Sequence, residues 1–383
     1  MTQQKKYIWL RNIALISICG FLCNSLFPLP IMTWRLLFLV IVFLTVGPNL
    51  NSLTRLEKTV IAFWGLHLVY FLISFLWLDS PSISLIGSIS VSLLSIPLFM
   101  TLGRRGVMTS RFHIVATIAL VLSAFNYYWI MKAKLFAALL SGQDTTINAS
   151  TVFLYILPVI IILKNIYISY SVLFVCVYFI LDSAKRGNIV CSIPIILLFI
   201  MLTFRNKQVH FYEKFIFVAF FLFAVSWGIR QYEQNEYLQQ RMEQTMEGNT
   251  SGREHIYENA WKVFSESQSV KNIIFGYGFQ GTVNIKQLGK YAHNDWLELL
   301  VDNGIVGALL YFSIFILLFK MIRREKDLQK RYLLLSVVSV WFLKTLFSMS
   351  YTIETAYILF LMLGAVTQRD FQANSLLKNK FIS

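Results

Sequence analysis

The stretch Leu297-Glu-Leu-Leu-Val-Asp-Asn-Gly-Ile-Val-Gly-Ala-Leu-Leu-Tyr-Phe-Ser-Ile-Phe-Ile-Leu-Leu-Phe319 decides the fold class. After Asp302 it carries no charged side chain until Lys320. It also reaches the roughly 20 apolar residues that a helix needs to cross a bilayer. The same ruler, moved along the chain, finds about twelve runs of this kind. They lie near 8–28, 30–48, 59–78, 83–101, 112–131, 148–164, 166–182, 189–204, 213–229, 297–319, 332–348 and 351–367. Composition agrees: 57% of the 383 residues are apolar and 14% charged, against roughly 45–50% and about 25% in a typical soluble domain. A soluble chain cannot cover 33 Phe and 9 Trp with so few charges. Gly (18) and Pro (7) are too few for a disordered or fibrous chain. The expected fold is an all-α polytopic membrane protein of about twelve transmembrane helices with one long outer loop containing short helices.

The formal net charge of +15 must be tested for topology before any nucleic-acid partner is considered, because cytoplasmic loops collect Lys and Arg. With the N-terminus inside, the basic residues Lys5, Lys6, Arg55, Lys58, Arg104, Arg105, Arg111, Arg205, Lys207, Lys320, Arg323, Arg324, Arg369 and Lys378 all fall on the cytoplasmic side. The outer turns at 28–33 and 78–82 carry no base. Topology thus accounts for most of the charge, and no nucleic acid is implied. The first run, after Lys5 and Lys6, lacks a small-residue cleavage site and reads as a retained span. The cysteines Cys19, Cys23, Cys176 and Cys191 sit in apolar runs without metal-ligand spacing, so neither a metal site nor a disulfide framework follows. The domains read as spans one to nine over 1–229, a periplasmic loop over 230–296, and spans ten to twelve with a cytoplasmic tail over 297–383. Two basic pairs stand on the outer side against the rule, Lys132/Lys134 and Lys185-Arg186. A bound anion explains such residues; simple tolerance of interfacial bases is the plainer account.

Within the outer loop, residues 230–250 are rich in Gln and Glu and read as a solvated helix or linker. Ser251 and Glu254 then form a capping-box pattern that starts a helix. Ile256, Ala260, Val263 and Phe264 recur at helical spacing, so this helix is amphipathic and suited to lie on the membrane surface. Arg253 stands in its first turn, where free N–H groups, the helix dipole and a guanidinium together suit a phosphate. An arginine that merely meets lipid headgroups fits the local pattern equally well. Phe275-Gly-Tyr-Gly-Phe-Gln-Gly281 is a tight glycine loop. Its Gly-Tyr-Gly piece lacks the preceding Thr-Val and the short re-entrant setting of a potassium-channel filter, which sets that reading aside. His293 follows where the loop meets the membrane, with Asp295 and Glu298 close enough in sequence to orient or replace it as a base. Gly304 and Gly307 are expected on one helical face, allowing close packing. His67, His113, His210 and His255 belong to no comparable constellation.

Three pieces in this order, Ser251-Gly-Arg-Glu-His-Ile-Tyr-Glu-Asn-Ala-Trp261, Phe275-Gly-Tyr-Gly-Phe279 and His293-Asn-Asp-Trp-Leu-Glu-Leu-Leu-Val-Asp-Asn-Gly-Ile-Val-Gly307, strongly resemble the O-antigen ligase/polymerase superfamily. The run Ser183-Ala-Lys-Arg-Gly187 looks like that family's Ser-x-x-Arg-Gly piece, and His293 to Gly304 like its ligase-type signature. The resemblance implies a metal-independent, inverting glycosyltransferase of the GT-C type, with no cofactor. It implies that Arg186 and Arg253 hold the diphosphate of a lipid-linked donor and that His293 takes a proton from the acceptor hydroxyl. Lys185, Tyr277, Asn294, Asp295 and Glu298 are the accompanying candidates for substrate binding.

Two activities fit. A polymerase extends undecaprenyl-diphosphate-linked repeat units into O-antigen or a related surface polysaccharide. An O-antigen ligase transfers the finished chain to lipid A core. The resemblance favours the polymerase, because that branch more often carries His-Asn-x-x-Leu-Glu-Leu-Leu, as 293–300 do. The implied partners are the undecaprenyl-diphosphate-linked donor, a lipid-linked glycan or lipid A core acceptor, membrane lipids and a chain-length regulator. The implied location is the bacterial inner membrane, with both termini cytoplasmic and the site facing the periplasm. A transporter of lipid-linked oligosaccharide ranks lower, since charges within spans are scarce. Arg35, Lys344 and Glu354 are the main ones. Lys344 and Glu354 are read either as a pair across neighbouring helices or as part of a basic donor site.

Overall fold

The computed structural model describes residues 2–26, 29–140, 149–163, 165–183, 185–205, 209–234, 239 and 253–368, and every regular element among them is helical. Among the described residues, nine α-helices precede the outer loop: α1 (Gln3–Leu22), α2 (Ile31–Val46), α3 (Arg55–Ser74), α4 (Ile83–Arg104), α5 (Ser110–Leu140), α6 (Ser150–Ile156), α7 (Ile166–Asp182), α8 (Arg186–Arg205) and α9 (Phe211–Gln234). The loop contributes α10 (Arg253–Ser265), α11 (Val270–Phe275) and α12 (Gly281–Asn284). After it come α13 (Asp295–Arg324), α14 (Leu328–Phe347) and α15 (Ala356–Thr367). Each apolar run read from the sequence holds a helix. Among the described residues, six helical stretches are long and apolar enough to cross a membrane by length and composition. Three further apolar helices, Ser150–Ile161, Ile166–Asp182 and Ala356–Thr367, are shorter.

Local chemistry explains the short ones. Pro158 lacks a backbone donor, and the helix that starts at Ser150 tightens to a 3₁₀ turn over Leu157–Ile161. The run expected from residue 351 becomes helical only at Ala356, because the preceding turn is engaged in polar contacts. There Glu354 pairs with Arg35 of α2, and its backbone N–H donates to Ser88 Oγ at 3.1 Å. This corrects one expectation: Glu354 does not pair with Lys344. The outer base Lys132 also has a protein partner, Asp182 at 2.8 Å, which Tyr128 shares through its hydroxyl.

α4 and α15 are buried along nearly their whole length and form the centre of the bundle. They approach closely where Gly103 faces Gly364. A Cβ on Gly103 would lie 2.2 Å from the Gly364 carbonyl oxygen, so only glycine permits the crossing.

Two expectations about the outer loop change. The apolar stripe of α10 does not simply face a membrane. Ala260 is buried with Ala292 and Val301, and Ile256, Val263 and Phe264 pack on the same cluster. Nor do Gly304 and Gly307 share an uninterrupted helical face. Gly304 has φ 61° and ψ −162°, which breaks α13 into two segments. The break frees the carbonyls of Val301 and Asp302, and these accept from the N–H groups of Tyr277 and Gly278, each at 2.8 Å. Gly276, at φ 75°, lets the loop come this near, since a Cβ there would stand 2.4 Å from the Asp302 carbonyl carbon. The glycine loop is thus the cap of a broken helix. The capping-box residue Ser251 lies outside the described residues.

Candidate functional site

The last turn of α14 gathers the site. The final carbonyls of a helix have no partner within it and need donors from elsewhere. Here those donors are residues singled out from the sequence. Asn294 Nδ2 donates to the Leu346 carbonyl at 3.2 Å, and Arg253 Nη1 to the Phe347 carbonyl at 2.8 Å. Thr345 Oγ1 accepts from Trp296 Nε1 at 2.9 Å. Lys344, fully buried, donates to Asn188 Oδ1 at 3.2 Å, two residues past Arg186. Gly187 lies against the same turn, since a Cβ there would touch Phe347 Cβ at 3.4 Å. Four consecutive residues of α14 therefore meet the start of α8, the start of α10 and the start of α13.

His293 stands beside this turn in a left-handed backbone conformation, φ 53°. Such a conformation costs a non-glycine residue on the order of 1 kcal/mol and persists only where its neighbours impose it. Both neighbours are fixed. The N–H of Ala292 donates to Glu298 Oε2 at 2.7 Å, and the Asn294 side chain caps α13 by accepting from Trp296 and Leu297 N–H groups. The imidazole itself is exposed. Burial of its surroundings, then the charges of Arg253 and Lys185, hold it below its ordinary value of 6.5. It is thus the neutral, proton-accepting form near pH 7. Lys185 is also held well below the usual lysine value, first by burial and then by the charges of Lys344 and Arg253. Lys185 thus lies within electrostatic reach of Lys344, Arg253 and His293. Arg186 opens α8 directly after Lys185.

The carboxylates do different work from that expected. Asp295 is fully buried, with Oδ2 accepting from the Tyr311 hydroxyl and Oδ1 from Ser350 N–H, both at 2.8 Å. Glu298 is 1% exposed and accepts from Thr282 Oγ1 at 2.5 Å as well as from Ala292 N–H. Asp302 accepts from Thr282 N–H at 2.8 Å. Of the three, Glu298 fixes the backbone next to His293, through the Ala292 N–H. Tyr277 is half-buried, with its hydroxyl donating toward Val263 O and Ser267 Oγ, both at 3.3 Å, and it borders an open polar cleft of about 690 Å³. Sequence reasoning missed Asn188, Thr282 and the α14 turn. Asn188, fully buried and also donating to Ser150 Oγ at 2.8 Å, was the readable sign, a carboxamide in an apolar helix. Among the described residues, no three His, Cys, Asp or Glu side chains stand close enough to hold a metal ion.

Residues 171–312 match the family model described as O-Antigen ligase, which bears out the resemblance to the O-antigen ligase/polymerase superfamily. Lys185, Arg186, Arg253 and His293 all lie inside the matched stretch. The family is glycosyltransferase-like and implies lipid-linked glycan substrates. No curated protein matches the chain.

Proposed function

We propose that this protein is a GT-C-type inverting glycosyltransferase that polymerises undecaprenyl-diphosphate-linked oligosaccharide repeat units into O-antigen or a related surface polysaccharide. It works on the periplasmic face of the bacterial inner membrane, with about twelve spans and both termini in the cytoplasm. One observation supports the reading: Arg253, Asn294 next to His293, and Gly187 next to Arg186 all meet the end of α14. Several cations beside a neutral base form a site suited to an anionic leaving group and a neutral nucleophile.

In the proposed reaction, Arg186 and Arg253 hold the donor diphosphate, and Lys185 and Lys344 deepen the positive field around it. His293 takes the proton from an acceptor hydroxyl as that oxygen attacks the anomeric carbon. The sugar–phosphate bond breaks on the opposite face, and the lipid diphosphate leaves with the bonding electrons. Fixed guanidinium groups in a poorly hydrated pocket are suited to that developing charge and need no reorganisation when it appears. In this scheme the chain's own cations, not a metal, neutralise the diphosphate. Asp295 and Glu298 serve as positioning residues.

A second reading, transfer of the finished chain to lipid A core, is favoured by the description of the matching family as a ligase and by the His293 to Gly304 spacing. Complementation separates the two. The protein is expressed in a strain lacking its polymerase but supplying the cognate repeat unit, and in a strain lacking the ligase. A restored ladder of chain lengths in the first is the expected result. Restored transfer to core in the second alone would replace polymerase by ligase. Rescue of neither by a stable, inserted protein, together with an unaltered His293→Ala phenotype, would overturn the transferase reading.

A further inference from the structure

At the far end of α13 from His293 lies a second cationic feature, unconnected with the site above. From Gly304 to Arg324, at 1.5 Å per residue, the helix runs about 30 Å. There a cavity of about 510 Å³ opens where the ends of α3, α4, α13 and α15 meet. Four cations line it: Arg55 opening α3, Arg104 closing α4, and Lys320 and Arg324 in the last turns of α13. Leu317 and Met321 line it as well. The positions 317, 320, 321 and 324 recur at helical spacing, so one face of α13 offers both an aliphatic wall and two positive charges.

Among the described residues, one carboxylate, Glu57, forms an ion pair with this cluster. Arg104 Nη2 pairs with Glu57 Oε1 at 2.6 Å, while its Nη1 is buried without a hydrogen-bond partner among the described residues. Glu57 is itself fixed, because its other oxygen accepts from the Thr54 N–H and hydroxyl, both at 2.7 Å, in the capping box of α3. Arg104 is therefore held rigidly at the wall. No ion pair among the described residues involves Arg55, Lys320 or Arg324. The next carboxylates along the chain are engaged locally: Glu325 accepts from Asp327 N–H, and Asp327 caps α14 through Gln329 and Lys330 N–H groups.

We propose that this cavity binds the phosphate headgroup of an anionic membrane lipid, with the cations on the phosphate and the Leu317–Met321 wall against the upper acyl chain. The chemistry asks for both features. A soluble phosphate would use the charges but leave the aliphatic wall unmatched, whereas a headgroup at the membrane surface meets the two together. On the proposed sidedness this is the inner leaflet. The site is independent of the transferase reading and stands or falls without it.

The test uses the full chain purified in mild detergent and native mass spectrometry with added phosphatidylglycerol, phosphatidylcholine of the same chains, or sn-glycerol 3-phosphate. Lys320→Gln and Arg324→Gln are compared with Arg323→Gln, which removes an exposed charge at the same level but outside the cavity lining. Phosphatidylglycerol should bind and phosphatidylcholine should not. Each lining variant should weaken retention about five-fold, and the pair on the order of twenty-five-fold. Arg323→Gln should leave it unchanged. Equal loss in Arg323→Gln would mean diffuse surface charge and overturn the site. Equal retention of phosphatidylcholine, or full displacement by glycerol 3-phosphate at matched concentration, would overturn the lipid assignment. Lys320 and Arg324 are exposed, so folding of the single variants is expected, and monodisperse elution is the check.

Discussion

Replacing Gly304 by Ala tests whether the broken helix supports His293. Gly304 sits at φ 61° and ψ −162°, a region that is essentially glycine-only. Holding an alanine there costs about 1–3 kcal/mol. The new Cβ would also stand 2.5 Å from the Ile274 carbonyl carbon and oxygen and 2.6 Å from Gly276 N. These are backbone atoms and cannot rotate away, so about 1–3 kcal/mol of overpacking is added. The total, about 2–6 kcal/mol, is a large part of the ~5–15 kcal/mol that stabilises a typical fold. The relief available is to push away the 274–278 loop, which would strip the caps from Val301 and Asp302 and loosen the His293 platform. Gly65→Ala is the control. It lies within α3 with nothing inside 4 Å of a new Cβ, and alanine there gains about 0.8–1 kcal/mol of helix propensity. Thermal unfolding of the two purified variants should diverge, with Gly304→Ala lower by about 4 °C or more and inactive in the ladder assay. A Gly304→Ala protein with wild-type Tm and activity would mean that α13 runs unbroken and that the loop does not cap it.

Three further outcomes are expected. Arg253→Lys keeps the charge but loses the planar fork, and activity should fall about 10²–10³-fold with the protein still inserted; full activity would reduce Arg253 to a headgroup contact. For His293, the folded value is depressed, so the imidazole stays neutral below pH 6.5. Its contribution to stability is complete above 6.5 and is lost as pH falls through the folded value. The acid limb of kcat/KM should accordingly lie below pH 6.5, and Lys185→Gln should move it upward by removing one of the two charges that depress it; an unmoved limb would separate Lys185 from the base. Lys344→Met should still fold at a cost of about 1–3 kcal/mol, because Asn188 Oδ1 loses the Lys344 donor. It should raise KM for the lipid-linked donor about ten-fold or more, and an unchanged KM in the purified variant would make Lys344 a packing residue.

The apolar helices were legible because length and apolarity are properties of a single segment, and nothing distant alters them. The candidate residues could be named for a similar reason: Arg253, Tyr277 and His293 stand in compact motifs. What joins them was not. The hydrogen bond from Lys344 to Asn188 crosses 156 residues, and no local pattern reports such a partner. The stripe on α10 announced an apolar face but not what covers it, and the cover proved to be the loop and the start of α13 rather than membrane alone. Gly304 was misjudged because glycine within an apolar run serves equally for helix packing and for breaking a helix. Only the close approach of Ile274 and Gly276 tells the two apart.

The way the site is assembled has a consequence for how its chemistry is controlled. A helix that ends in a membrane protein must find donors for its last carbonyls, and leaving one buried and unmet costs about 1–3 kcal/mol. At the end of α14 these donors are the side chains of Asn294 and Arg253, so the requirement that terminates the helix also draws two candidate residues to one place. Among the described residues, Arg253 gives one N–H to Phe347 out of its five-donor fork. Its position is therefore set before any substrate arrives, which is the condition for a guanidinium to favour a transition state over a ground state. The same logic holds one turn earlier, where Asn188 fixes the Lys344 ammonium next to the Lys185-Arg186 turn. On the proposed mechanism, the placing of Arg253 and the termination of α14 draw on the same hydrogen bond. Residues that seem structural, such as Asn188, Thr282 and Gly304, should then affect the reaction nearly as much as those that touch its substrate.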